Sequence, residues 1–304
     1  MLVAGEMDSF LLQPSSVDMG RNIVVVFDRG DESLKAVDRA TGQLRWELGR
    51  SGQGPWEFAG VTDIAMGPAD SVWVLDADNR RVYVVGPDGS QGRVINVADA
   101  LAASEAPYSF DVPYRMAVLP DGFVLGLSRT ENGLAAVFSA DGRHRATIGG
   151  PTWVGDLTYM AADYRVDGDA KSGNFAAVFQ FTGRILAGSP ESGSPDVQEL
   201  EAVATADEPE IIHFEIDGMA ASRLAPGQVR LARSIAVEGD RILILSARQT
   251  DDEWVADVID VYENGDYLYS IRLPAAARRI AASGNTIATL ETEMLPTIRE
   301  LVLP

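Results

Sequence analysis

A four-residue pattern of variable, apolar, alanine and apolar positions returns along the chain. It reads Asp63-Ile64-Ala65-Met66, Arg115-Met116-Ala117-Val118, Tyr159-Met160-Ala161-Ala162, Ser234-Ile235-Ala236-Val237 and Arg279-Ile280-Ala281-Ala282, with a weaker copy at Ser16-Val17-Asp18-Met19. Most copies lie roughly 45 to 50 residues apart, which is the length of one four-stranded propeller blade. Between them run short segments rich in β-branched and aromatic residues, such as Val72-Trp73-Val74-Leu75, Val82-Tyr83-Val84-Val85 and Ile242-Leu243-Ile244-Leu245. These are too short for helices, and Tyr267 to Leu273 alternates with the period of a strand. Pro87-Asp88-Gly89, Asp121-Gly122, Asp141-Gly142 and Asn264-Gly265 supply the tight turns that hairpins need.

The repeat predicts one all-β domain over residues 1–304, a six-bladed β-propeller of four-stranded antiparallel blades. The innermost strand of a blade lies where blades converge, so small side chains suit it while outer strands accept Trp and Tyr. Blade boundaries fall near 16–60, 61–112, 113–156, 157–230, 231–276 and 277–304 plus 1–15. The last copy leaves too few residues for a whole blade. An N-terminal strand around Phe10-Leu11-Leu12 is therefore expected beside Arg299-Glu300-Leu301-Val302, tying the ring shut. The long interval before Ser234 contains the Gly/Ser/Pro-rich stretch Gly188 to Pro195 and reads as an insertion or as part of a seventh blade.

Composition then narrows the chemistry. The 304 residues carry a net charge of −20, two histidines and no cysteine. Thiolate metal sites and cysteine nucleophiles are excluded, and His144 and His213 fall in different repeats, so no histidine-rich zinc site is expected. An acidic surface repels polyphosphate, which argues against nucleic acid, and no apolar run reaches membrane-spanning length. The start, Met1 to Glu6, has neither the basic nor the apolar region of an export signal.

Gly49-Arg50-Ser51-Gly52-Gln53-Gly54-Pro55-Trp56-Glu57-Phe58 resembles the Gly-x-Gly-Pro-Gly-Glu-Phe signature of bacterial six-bladed propellers of the NHL and TolB-like type. Asp76-Ala77-Asp78-Asn79-Arg80-Arg81-Val82-Tyr83-Val84 resembles their turn between second and third strands. The resemblance spans most of the chain, is ambiguous over about 183–230, and departs from the pattern at Trp56, where the family has Gly. It implies the propeller fold and an extracytoplasmic location, periplasmic or lipid-anchored, and fixes no function.

The Gly49–Phe58 segment lacks the Gly-Lys-Ser/Thr of a phosphate loop, so it reads as a crossing between blades, with Trp56 as a possible partner contact. Asp167-Gly168-Asp169-Ala170-Lys171 and Asp76-Ala77-Asp78-Asn79-Arg80 put a cation at the fifth position of a calcium-like loop and read as solvated turns, so neither metal nor cofactor is expected.

The repeat itself points to a site. The position opening each copy, Ser16, Asp63, Arg115, Tyr159, Ser234 and Arg279, should ring one mouth of the channel, with Ser15, Thr62, Tyr114, Thr158, Arg233 and Arg278 just before it. Four converging guanidinium groups suit a carboxylate or phosphate, and Tyr114 and Tyr159 could add hydroxyls and flat faces. The expected ligand site is therefore Asp63, Tyr114, Arg115, Tyr159, Arg233, Arg278 and Arg279. The bland reading pairs these arginines with Asp63, Asp18 and neighbouring acids in a structural network.

The sequence therefore reads as a binding or scaffold propeller for a small polar or anionic ligand, a glycan or a peptide, with no catalytic step implied. One alternative is a lactonase-like hydrolase or a lyase, with Asp63 as base, Arg115 and Arg279 as stabilisers and Tyr159 as acid. Another is a platform whose rim meets a protein partner.

Overall fold

The computed structural model describes residues 2–4, 10–98, 113–127, 133–157, 162–189, 197–216, 219–251, 253–291 and 295–304. Six four-stranded antiparallel sheets follow one another along the chain. Blade one is built from Pro14–Met19, Ile23–Asp28, Ser33–Asp38 and Leu44–Leu48. Blade two has Val61–Met66, Val72–Asp76, Arg81–Val85 and Gln91–Asn96. Blade three has Arg115–Leu119, Gly122–Gly126, Ala135–Ser139 and His144–Ile148. Blade four has Tyr164–Gly168, Phe175–Phe179, Ile185–Gly188 and Val197–Leu200. Blade five has Ala232–Glu238, Arg241–Gln249, Trp254–Glu263 and Asp266–Arg272.

Blade six joins Arg279–Ser283, Thr286–Glu291 and Thr297–Val302 to the N-terminal strand Leu2–Ala4, which runs antiparallel to Thr297–Val302. The sequence expectation had put that strand at Phe10–Leu12. Those residues instead lead into blade one, where Leu11 is buried with Val17 and Ile298 between blades six and one. Apolar character came from this interface, not from sheet pairing.

The burial pattern follows the radial taper. Every residue of the second strands Ile23–Asp28, Val72–Asp76 and Gly122–Gly126 is buried, because both faces pack on neighbouring blades. Gln91–Asn96, on the outside of blade two, is almost wholly exposed. Three predicted turns form with the expected backbone: Asn264 and Gly265 take φ of 54° and 89°, Gly142 takes 88° and Gly89 takes 82°, whereas Gly122 opens a strand of blade three without positive φ and the turn there falls on Pro120 and Asp121.

Ala65, Ala117, Ala236 and Ala281 are all buried on inner strands, each in the core shared with the following blade. A larger side chain there would wedge two blades apart. Blade four breaks the expected register. Its inner strand is Tyr164–Gly168, and the apparent copy beginning at Tyr159 precedes it; Tyr159, Met160 and Ala161 lie outside the described residues. The true blade-four copy is Arg165-Val166-Asp167-Gly168, which parallels Ser16-Val17-Asp18-Met19 with aspartate where the other blades have alanine.

The long interval before blade five is resolved by a two-stranded hairpin, Ile211–Ile216 with Met219–Leu224, that belongs to no blade. Gly49–Phe58 crosses from the outer strand of blade one to the inner strand of blade two, and Trp56 sits there at φ 60°, in the left-handed region that favours glycine. Half-buried, it packs on Tyr83 with ring centroids 5.4 Å apart. Among the described residues no helix is long and apolar enough to cross a membrane.

Candidate functional site

The start of each inner strand faces one mouth of the channel and its end faces the other, so alignment of the blades segregates charge along the axis. The first end gathers Arg115, Arg165, Arg233, Arg278 and Arg279 with Asp163 and Glu253 among them; the second gathers Asp18, Asp70, Asp167, Asp169 and Glu238 with Arg21, Arg39 and Lys171, so arginines prevail at one end and acids at the other. Between them the channel narrows to a space of about 40 Å³, where Ser16, Asp63, Arg165, Ser234 and Arg279 meet Asp18, Asp167 and the apolar residues of the inner strands.

Asp63 lies at the waist. Its carboxylate accepts the backbone N–H of Met116 at 3.0 Å, tying blade two to blade three. Burial raises its pKa against the pull of Arg115, Arg165, Arg279 and that N–H, and burial prevails. The arginines suffer in turn. Arg165 is held well below the ordinary guanidinium range by burial and by the like charges of Arg279 and Arg115. Arg279 is brought down to about 10 by burial first and Arg115 next. Arg233 is lowered by burial and by Arg230 and Arg278. Asp63 and Asp163 offset part of this repulsion, and burial still prevails at Arg165 and Arg279.

A cavity of about 440 Å³ opens over Arg165, Arg233, Arg278 and Arg279, with Arg230, Asp163, Gln180 and Trp254 on its walls. Three buried polar atoms that find no partner among the described residues belong to this lining: Arg165 Nε, Arg233 Nε and Gln180 Oε1. Gln180 spends its amide N–H on the Ala232 carbonyl at 3.1 Å, which leaves its oxygen as an acceptor. Arg279 Nη1 donates to the Arg233 carbonyl at 3.2 Å, locking two blades together beneath the cavity.

A second cavity of about 320 Å³ lies beside the first and shares Asp163 and Arg230 with it. Asp163 ion-pairs with Arg230 at 3.2 Å and Arg115 at 3.5 Å, so it forms the ridge between them.

Of the residues expected from sequence, Asp63, Arg115, Arg233, Arg278 and Arg279 come together around the channel, and Tyr114 lines the neighbouring cavity, exposed at 38%. Tyr159 lies outside the described residues. Trp56 stands between blades one and two, away from the mouth. Sequence reading missed Arg165, Asp163 and Arg230. The first was legible: placing Asp167 where alanine was expected brings Arg165 into the ring. Asp163 and Arg230 lie outside the repeat and carried no signal.

The calcium-like loops resolve differently from expectation. Asp167 is no solvated turn: it lines the channel, accepts the Val237 N–H at 2.7 Å, and is pushed well up by burial, with Asp18 adding to the rise. Asp169 is buried and caps its turn through the N–H groups of Lys171 and Ser172. His213 is exposed on the extra hairpin and bonds Ser222 at 2.7 Å. His144 is half-buried edge-on to Phe138, and burial lowers its pKa. Among the described residues no group of three acids or histidines is arranged to hold a metal ion.

No protein-family model and no curated protein sequence matches the chain. Solved structures match its fold along almost its whole length. They include a DUF4221 family member from Bacteroides vulgatus (8% identity, TM-score 0.59, 98% of this chain and 95% of that one). Virginiamycin B lyase from Staphylococcus aureus is similar at 12% identity and TM-score 0.54, with 95% of each chain covered. The Cps50 (Swd1) β-propeller domain of Myceliophteria thermophila is similar at 13% identity and TM-score 0.51, over 94% of this chain and 95% of that domain. At these identities the likeness establishes the six-bladed β-propeller fold alone.

Proposed function

We propose that the chain is a binding propeller of the NHL/TolB-like kind that takes a small polar or anionic ligand at the arginine-lined mouth. The observation that carries this reading is the gathering of the Arg165, Arg233, Arg278 and Arg279 side chains on the lining of one cavity of about 440 Å³. An anion in the cavity offsets the mutual repulsion of these guanidinium groups. The planar fork of arginine favours carboxylate or phosphate.

A catalytic variant of the reading places Asp63 as base in the same mouth, since burial raises its pKa and a lyase shares the fold. The histidine pair offers it no help, because His144 and His213 stand on different elements, the outer strand of blade three and the extra hairpin.

The test is a thermal-shift screen of sugar acids, dicarboxylates, nucleotides and inorganic phosphate against the full chain and the Arg233→Ala, Arg279→Ala double variant. A ligand specific to the folded state raises the melting temperature. The reading expects an anion response in the parent chain and none in a folded double variant; an undiminished response there would remove the site.

A further inference from the structure

The two cavities at the arginine mouth differ in character, and that difference specifies more of the ligand than its charge. This inference rests on the anion-binding reading above. The larger cavity holds the gathered guanidinium groups. The smaller, of about 320 Å³, is walled by Leu127, Ala162, Tyr164, Phe181 and Leu224, with Tyr114 at its rim. Leu127, Ala162, Tyr164 and Phe181 are themselves buried, so the walls are fixed by blades three and four. The Tyr164 hydroxyl is committed to the carbonyls of Leu127 and Leu134, so its ring and not its polar end is presented. Arg230 lies over the Phe181 ring at 5.0 Å and simultaneously pairs with Asp163, which orients its plane at the boundary of the two spaces.

We infer that the ligand is bipartite, an aromatic ring carrying an anionic head: the head is held by Arg165, Arg233 and Arg279, and the ring enters the smaller cavity between Phe181, Tyr164 and Leu224. Aromatic faces and edges on the wall favour a planar ring over an aliphatic chain, and the guanidinium plane of Arg230 adds a surface on which a ring can stack. The extra hairpin acquires a role, because Leu224 at its end closes one side of this cavity. A small inorganic anion would satisfy the head site alone and leave the apolar wall wet.

Calorimetric titration of the full chain with inorganic phosphate, methyl phosphate and phenyl phosphate tests the inference, because the head is held constant while the ring is added. Phenyl phosphate is expected to bind at least about tenfold more tightly than methyl phosphate, the gain from removing a ring's apolar area from water. Leu224→Trp, at the end of the exposed hairpin, should fill the cavity and abolish that advantage while methyl phosphate still binds. Tyr114→Ala should reduce the advantage and leave the head site intact. Equal affinity for the methyl and phenyl esters would overturn the bipartite ligand and leave the anion site standing. A phenyl advantage that survives Leu224→Trp would overturn the placement of the ring. Absence of binding by all three phosphates would remove the underlying reading and this one together.

Discussion

Asp18 and Asp167 occupy the same station on the inner strands of blades one and four, and each carboxylate takes the backbone N–H of the next blade's inner strand, at Met66 and Val237. Alanine fills that station in the other four blades. The two aspartates therefore seal the blade interfaces with hydrogen bonds where their neighbours use apolar contact. Both carboxylates are driven up, Asp18 to about 7, by burial first, with Asp63 and Glu238 adding to the effect at Asp18.

The sign of the resulting pH dependence follows directly. Unfolded, these groups lose their protons near pH 4. In the folded state Asp18 keeps its proton to about pH 7. Across that window the folded chain binds more protons, so stability falls as pH rises from about 4 to about 7 and levels off above. Each such group contributes a slope of at most about 1.4 kcal/mol per pH unit. Asp18→Asn should flatten the decline, measured as melting temperature at half-unit steps; a variant with the parent slope would show that Asp18 titrates normally.

Arg165 is expected to trade stability for binding. Its guanidinium is repelled by Arg279 and Arg115 and its Nε has no partner among the described residues. Removing a buried charge that lacks full compensation relieves about 1 to 3 kcal/mol. Arg165→Leu should thus melt at a higher temperature than the parent while losing the stabilisation that anions confer. Urea unfolding with and without the best anion of the screen checks both halves; a destabilised variant would assign Arg165 to the framework.

The propeller was legible in the sequence because its cause is periodic: small residues must recur wherever blades converge, and Ala65, Ala117, Ala236 and Ala281 do. The site was legible in proportion to its place in that period. Arg115 and Arg279 open their copies and were found. Arg165 was displaced from view because Tyr159-Met160-Ala161-Ala162 offers an alanine and the true strand offers Asp167, so a rule about size overlooked a side chain that satisfies the same station by hydrogen bonding. Asp163 and Arg230 meet across a long stretch of chain, and only the fold brings them together. The closing strand was misplaced because Leu11 is apolar for packing between blades rather than for pairing.

Asp76 illustrates how the loops that present the site are held. Wholly buried, it accepts the N–H groups of Ala59, Gly60 and Asn79 and the Asn79 side-chain amide, which fixes the crossing from blade one into the inner strand bearing Asp63. Asp76→Ala strands several buried donors, and about 3 to 5 kcal/mol should be lost. Asp76→Asn, which keeps acceptor capacity on one oxygen, should recover part of it. Equilibrium denaturation of the pair measures both, and equal stability of the alanine variant and the parent would rule out the anchoring role.

The counterpart in blade one contains a buried ion pair. Asp28 accepts the N–H groups of Leu12, Gln13 and Gly30, and Lys35 reaches it at 3.1 Å while donating to Asp31 and to the Phe10 carbonyl. Burial alone would raise Asp28, but these donors outweigh it and hold the carboxyl below its usual range. Its contribution is accordingly present above about pH 4, the unfolded value, and is lost as pH falls through the lower folded value. Lys35→Met removes the cation that balances Asp28 and the donor to the Phe10 carbonyl, leaving Asp28 held by its three backbone N–H groups alone, and should cost about 3 to 5 kcal/mol at pH 7. The double variant Lys35→Met, Asp28→Asn removes the stranded charge and should be more stable than Lys35→Met alone, with a smaller loss on acidification. Additive losses in the double variant would mean that the two side chains act independently, and that the N-terminal segment from Phe10 to Gln13 is secured by backbone contacts rather than by this pair.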